Sequence, residues 1–312
     1  MGLTTIQQSS AGLFTWQPWE QIDLPVLARG SLLVNLCNLA PVSIHNSITM
    51  IHDAQVFLTP ESYSRAFRAF YKFALPRIGS CAEKILTVSE YSRKELVRFG
   101  VASASKIEVI YNGADHILSC PVDPEIVVRL GLEPYKYAVA LSNTQAHKNI
   151  SVLLRAFASP SMASARLVLV GNADERDFRK LGQNPPANVL FAGPVTDGQL
   201  RTLLENAAGL AFPSTTEGFG LPPAEAMSLG CPVVAAPFGA LPEVCGEAAV
   251  YASPHDASAW SEAILNLMEG DALRQRASVL GLARAKNFTW AAAARKLLHI
   301  IEATNRARAD DH

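Results

Sequence analysis

The stretch Pro213-Ser214-Thr215-Thr216-Glu217-Gly218-Phe219-Gly220-Leu221-Pro222-Pro223-Ala224-Glu225 decides how the rest of the chain is read. It joins Leu210-Ala211-Phe212, the end of a buried run of the parallel-strand kind, to a helix that Pro222-Pro223 opens and Gly230 stops. Proline suits the first helical positions because its missing N–H has no intrahelical partner there, and glycine suits the exit. Gly218 and Gly220 let the backbone approach a ligand closely, with the N–H groups from Gly218 through Phe219 and Gly220 to Leu221 and the positive end of the helix dipole facing one space. That is a seat for phosphate or for hydroxyls. Glu217 before the loop and Glu225, read as a first-turn residue, frame it with carboxylates able to accept from sugar hydroxyls. The structural reading of the same residues is a first-turn acid worth about 0.3–1 kcal/mol against the dipole, beside ordinary turn glycines.

Outward from this loop the second half alternates short apolar runs with helical segments. Candidate strands are Tyr137 to Leu141, Leu167 to Val170, Val189 to Phe191, Leu210 to Phe212 and Pro232 to Ala235. A helix from Thr196 leads into the central strand. Such alternation implies βαβ units and a parallel sheet covered on both faces. After the first of these strands, Asn143-Thr144-Gln145-Ala146-His147-Lys148-Asn149 opens a helix, where a lysine is placed to neutralise a diphosphate. An exposed helical lysine is the plainer reading.

In the first half, Ser47-Ile48-Thr49-Met50-Ile51 is a β-type run ending at His52-Asp53. Open α/β sheets place ligand groups at that end of a strand, although a lone histidine there is more often a satisfied edge residue. Leu24 to Ala28 reads as a helix and Leu32 to Leu36 as a strand. Asn35 and Asn38 read as turn formers more than as cleft residues. Glu61 to Leu75 carries Tyr63, Phe67, Phe70 and Tyr71 at helical spacing, which predicts an amphipathic helix with its aromatic stripe in the core. Lys84 to Val88 is a strand, and Ser92-Arg93-Lys94-Glu95 reads as a capping box starting the next helix. Ile107 to Ile110 is the last strand of this half. Chain organisation is therefore read as residues 1–120, residues 121–286, and a closing helix and tail at 287–312, with the tail from Asn305 expected to fray.

The string Glu-Gly-Phe-Gly-Leu-Pro-Pro-Ala-Glu resembles the Glu-x7-Glu motif of retaining glycosyltransferases of family 4, which have the two-domain GT-B fold. Met-Ile-His-Asp at 50–53, Thr-Val-Ser-Glu-Tyr-Ser-Arg-Lys-Glu-Leu at 87–96 and Tyr-Asn-Gly-Ala-Asp at 111–115 are similar to that family's segments in the same order. The resemblance implies an α/β fold of two Rossmann-like domains facing a cleft. It places Glu217 by the donor sugar, Glu225 on the nucleotide ribose, His52 on the sugar from the opposite domain, and Lys148 on the diphosphate. Asn143 stands where the commonest version of the family has arginine, and His147 is expected to compensate in part. Family members begin with a strand and a Gly-rich loop that nothing before His52 matches, so the first domain is expected to be shortened.

The resemblance implies transfer of a mannose- or glucose-type sugar from GDP- or UDP-sugar to a saccharide or lipid-linked acceptor, by front-face displacement without a protein nucleophile. A non-catalytic nucleotide-sugar-binding or structural partner of a glycosyltransferase is the alternative, and a glycosidase or epimerase using the two glutamates a third. No Asp-x-Asp and no His/Cys ligand spacing occurs, so neither metal nor cofactor is expected. The 312 residues are 49% hydrophobic with a formal net charge of -1, enough apolar content for two domains and no electrostatic case for nucleic acid. Between Glu61 and Lys106, however, nine Lys or Arg face four Glu. A solvated helical face explains that excess most simply, and contact with an anionic membrane surface is the functional reading. Five cysteines without metal spacing, and no long apolar run, predict reduced thiols in a cytoplasmic protein, at most peripheral at the inner membrane face.

Overall fold

The computed structural model describes residues 18–310. Two parallel sheets make up its frame. The first contains β1 (Leu33–Asn35), β2 (Ser47–Met50), β3 (Lys84–Thr87) and β4 (Ile107–Val109), in that order and all parallel. The second contains β5 (Tyr137–Leu141), β6 (Arg166–Val170), β7 (Val189–Gly193), β8 (Gly209–Phe212), β9 (Val233–Ala235) and β10 (Ala249–Tyr251), ordered β10-β9-β8-β5-β6-β7. Its inner strands β5, β6, β8 and β9 are short and largely buried, as parallel strands covered by helices must be, while the edge strands β7 and β10 are partly exposed. From β5 the chain winds outward through β6 and β7, then returns to β5's other side at β8. That reversal leaves a crevice between the carboxyl ends of β5 and β8, the place where open α/β sheets hold ligands.

One continuous apolar core joins the halves. Ile48 and Leu86 of the first sheet, Leu210 and Val233 of the second, and Ile300 of the closing helix Trp290–Asp310 all belong to it. That helix also reaches the first sheet's side through an ion pair of Arg308 with Glu83 at 3.7 Å.

Several local expectations are corrected. The first helix of the basic segment is Arg65–Cys81, capped by Ser64 and carrying Pro76 inside, and of its aromatic stripe only Tyr63 and Tyr71 pack, half-buried, against the core. Ala74, Leu75 and Ile78 are buried, while Phe67, Phe70 and Phe73 are exposed and Tyr63, Phe67 and Tyr71 stack on one another. Helical period reports two unlike faces but not which one is covered. Helix Glu90–Arg98 is capped by Ser89, whose Oγ accepts from the Ser92 N–H, so Ser92 is the third helical residue and not the cap. The stretch from Asn305 is helical as far as Asp310. Strand β10 had no counterpart among the expected strands. The polar start of the chain lies outside the described residues.

Candidate active site

Lys148 follows β5 and Glu217 follows β8, so the sheet reversal alone brings them to one crevice. Asn149, in the left-handed region at φ 53°, turns the chain into helix Ile150–Phe157, and its side-chain amide donates to the carbonyls of Pro213 and Pro254. Thr215 N–H donates to the His147 carbonyl at 2.8 Å. These ties dock the two loops together. The Lys148 ammonium then lies 2.7 Å from Glu217 Oε1, and both side chains are mostly buried.

Beyond Glu217 the loop carries a row of donors. The amides of Gly218, Phe219, Gly220 and Leu221 find no acceptor within the protein among the described residues. Pro222 and Pro223 add no further N–H groups. Buried backbone donors are rarely left without a partner, and such a row at a helix start suits an anion. Helix Leu221–Ser228 follows Gly220, whose φ of +95° favours glycine. The helix therefore begins one residue before Pro222, and Glu225 opens its second turn. A first-turn dipole role no longer describes it.

Gly218 serves a second purpose beside the close approach of a ligand. A Cβ on Gly218 would lie 2.6 Å from Asp53 Cβ and 3.2 Å from the His52 carbonyl, so its missing side chain admits the first half of the molecule. The Gly218 carbonyl accepts from Ser89 Oγ at 2.5 Å and Ser92 Oγ at 3.0 Å. Glu243 caps helix Glu90–Arg98 across the same junction, accepting from Glu90 N–H at 2.7 Å and Tyr91 N–H at 2.9 Å. Gln55 donates to the Thr216 carbonyl at 3.1 Å. The cleft walls are thus held together directly behind the Glu217 loop.

His52 stands at the end of β2 against this loop. Its backbone N–H donates to Asn38 Oδ1 at 2.8 Å, and its Nε2 lies 3.1 Å from the Leu36 carbonyl. A carbonyl only accepts, so Nε2 carries the proton of this contact. Asn38, first read as a turn former, is what fixes the backbone of His52. Burial raises the Asp53 carboxyl above its ordinary range, against the Gln55 amide and His52, which lower it.

His147 departs from its expected part. Its ring is buried, with Ser62 Oγ 3.2 Å from Nδ1. Burial foremost, then the neighbouring Lys148, pushes its pKa down. It is a neutral hydrogen-bonding group between the two halves and does not supply the charge of the missing arginine. Asn143 accepts from the Gln145 N–H at 2.8 Å and lines a cavity of about 610 Å³. Thr144, Gly171, Asn172, Val195 and Lys148 line it too, at the carboxyl ends of β5, β6 and β7. Lys148 therefore links this cavity to Glu217.

Glu225 is held differently from Glu217. Its carboxylate is 8% exposed as a residue and lies 3.0 Å from His116 Nε2. Burial raises its pKa and His116 opposes the rise. Neither His116 nor the capping Glu243 carried a signal at sequence level, since each acts across more than a hundred residues of chain. Among the described residues no cluster of three or more His, Cys, Asp or Glu is placed to hold a metal ion.

Two facing parallel sheets with a ligand crevice at the reversal of the second define the GT-B class of glycosyltransferase. The Anabaena protein Alr3699/HepE, solved in complex with UDP-glucose, superposes with a TM-score of 0.69 at 22% identity, over 82% of this chain and 72% of that one. Residues 136–270 match the model described as glycosyl transferases group 1, and residues 36–117 match glycosyltransferase family 4. The chain is 32% identical over 260 residues to O-antigen chain mannosyltransferase B of Escherichia coli, covering 80% of this chain and 68% of the relative. A D-inositol 3-phosphate glycosyltransferase of Nocardioides is also 32% identical, over 75% of this chain and 56% of the relative. This chain belongs to the group 1 glycosyl transferases of family 4.

Proposed function

We propose that the chain is a retaining glycosyltransferase that moves a mannose- or glucose-type sugar from a GDP- or UDP-sugar to a saccharide or lipid-linked acceptor. The observation that carries this reading is the junction of Lys148, Glu217 and four amides that find no acceptor among the described residues, at the sheet reversal. The cavity beyond Lys148 has the volume of a nucleoside site. With the nucleoside there, the diphosphate reaches Lys148 and the amide row, and the sugar lies between Glu217 and His52. The similarity to a mannosyltransferase favours a mannose donor.

In the reaction the bond from sugar C1 to the diphosphate oxygen breaks, and its electron pair leaves with the diphosphate. The acceptor hydroxyl oxygen adds to C1 on the same face, and its proton passes to the departing phosphate. Lys148 and the amides stabilise the charge that grows on the leaving group. Glu217, freed from Lys148 as the diphosphate arrives, accepts from sugar hydroxyls. No cofactor or metal ion enters this scheme, and no side chain attacks C1. Incubating the full chain with GDP-mannose or UDP-glucose, with and without chelator, and measuring released nucleotide and transferred sugar tests it. The expected result is turnover of one donor that ignores chelator. Turnover of simple glycosides instead, or of neither donor, would overturn it.

A membrane-facing acceptor side fits the same reading. Phe67, Phe70 and Phe73 are exposed, the last at 63%, on a helix that also carries Arg65, Arg68, Lys72 and Arg77. Apolar rings among cations suit an anionic bilayer surface. No helix among the described residues is long and apolar enough to cross a membrane. Sedimentation with phosphatidylglycerol vesicles, lost in Phe70→Ser/Phe73→Ser and absent with phosphatidylcholine, is the expected behaviour. Equal recovery with both lipids would count against it.

A further inference from the structure

The two connections between the halves cross beside Glu225. Ala114 N–H donates to the Phe288 carbonyl at 2.9 Å, and Trp290 N–H to Asp115 Oδ1 at 2.8 Å. The contact is close enough that a Cβ on Gly113 would lie 2.3 Å from Trp290 N and 2.5 Å from its Cγ. These contacts hold the backbone and the root of the indole of Trp290, a residue 47% exposed, whose Nε1 lies 3.2 Å from His116 Nδ1. The opposite nitrogen of that imidazole, Nε2, faces Glu225 Oε1 at 3.0 Å.

The proton positions follow. An indole N–H only donates, so Nδ1 of His116 must accept, and the one ring proton sits on Nε2, aimed at the carboxylate. A doubly protonated ring would set two N–H groups against each other at Nδ1. Glu225 has no other polar partner among the described residues. Without His116 its carboxylate is free to turn about its last torsion, a broad and weakly defined one. With His116 one oxygen is engaged and the other is presented in a fixed direction.

We propose that His116 is a positioning residue for Glu225, a neutral imidazole braced by Trp290 whose Nε2–H holds the carboxylate in the orientation that receives the donor's ribose hydroxyls. This rests on the reading of Glu225 as a ribose-binding group. It also makes the donor seat depend on the junction between the two halves, because both brace and imidazole come from the connecting segments. Sequence gave no hint of it: His116 and Trp290 lie 174 residues apart.

A double-mutant cycle on the full chain tests it, with GDP and UDP as calorimetric titrants and the melting temperature recorded for each variant. His116→Ala should weaken binding of the preferred nucleotide about fivefold to twentyfold, the loss of one charge-assisted hydrogen bond. His116→Gln, whose amide N–H reaches near the position of Nε2, should recover most of that. In a Glu225→Ala background, His116→Ala should add nothing further. Trp290→Phe should show a smaller loss in the same direction. If Glu225→Ala weakens binding while His116→Ala leaves it unchanged, or if the two losses simply add, His116 does not position Glu225. A loss in His116→Ala that only tracks a lower melting temperature, unrecovered by glutamine, would equally overturn the proposal. Unchanged affinity in Glu225→Ala would remove the reading of Glu225 on which it stands, and failure of the unmodified chain to bind either nucleotide would sink the donor site itself.

Discussion

Glu217 and Glu225 lie eight residues apart in one loop and helix, yet the molecule holds them in opposite ways. Glu217 pairs with a full cation, Lys148, across the crevice between β5 and β8. Glu225 sits in the second turn of its helix, facing the connecting segments, with an imidazole as its polar partner. An ammonium–carboxylate pair can be remade when a more highly charged anion arrives. A carboxylate steered by a braced ring keeps its place. On the proposed reading the difference separates two tasks: Glu217 and Lys148 would respond to the diphosphate and sugar, where charge changes during reaction, while Glu225 would read the ribose, where it does not.

The largest break in that comparison should come from Lys148→Ala. It removes the only cation of the pair and leaves Glu217 facing the diphosphate, so turnover should fall about a hundredfold to a thousandfold, as for loss of a group that stabilises a leaving anion. Steady-state rates with saturating donor measure it. Next comes Gly218→Ala, which places a methyl 2.6 Å from Asp53 Cβ. Forcing that junction apart should cost about 1–3 kcal/mol of stability, read by denaturant unfolding, and Ser89 and Ser92 should lose their acceptor.

The smallest effect is a pH dependence at Asp53. Its folded-state pKa is raised by burial, so the folded chain binds this proton more tightly than the unfolded chain does. Stability from the protonated form is present below the ordinary value of 3.8 and is lost as pH rises through the folded value. Asp53→Asn keeps an oxygen for the Gln55 N–H and removes that loss. Its stability relative to the unmodified chain should therefore grow as pH rises above 3.8, followed by urea unfolding across the range. A difference that shrinks with rising pH would contradict the assignment.

The second half was legible because its signals are local. Each strand of β5 to β9 is a contiguous apolar run, and Pro222, Pro223 and Gly230 punctuate the helix after Glu217 within a few residues. Lys148 and Glu217 were found separately, and their 2.7 Å pairing came with the strand order of the sheet, which alternation does not fix. What the halves do to each other was not legible. Gly218 looked like a residue cleared for a ligand and is also cleared for Asp53, and Asn38, Ser89, Glu243 and His116 are polar residues in unremarkable surroundings until the fold brings their partners close. His147 was misread as charge because proximity in sequence to Lys148 says nothing of burial. The aromatic stripe at 63–71 shows the same limit: the period gave a two-faced helix, and only the packing decided which face was covered.

The most direct test titrates the full chain with GDP, UDP, GDP-mannose and UDP-glucose, unmodified and as Glu217→Gln and Glu225→Gln. Glu225→Gln should weaken bare nucleotide and nucleotide sugar alike, about tenfold or more. Glu217→Gln should bind bare nucleotide at least as tightly as the unmodified chain, because Lys148 loses its competing carboxylate, and should lose whatever added affinity the sugar provides. Equal effects of the two substitutions on bare nucleotide, or a Glu217→Gln chain that loses bare nucleotide while Glu225→Gln keeps it, would contradict the division of labour between the two glutamates.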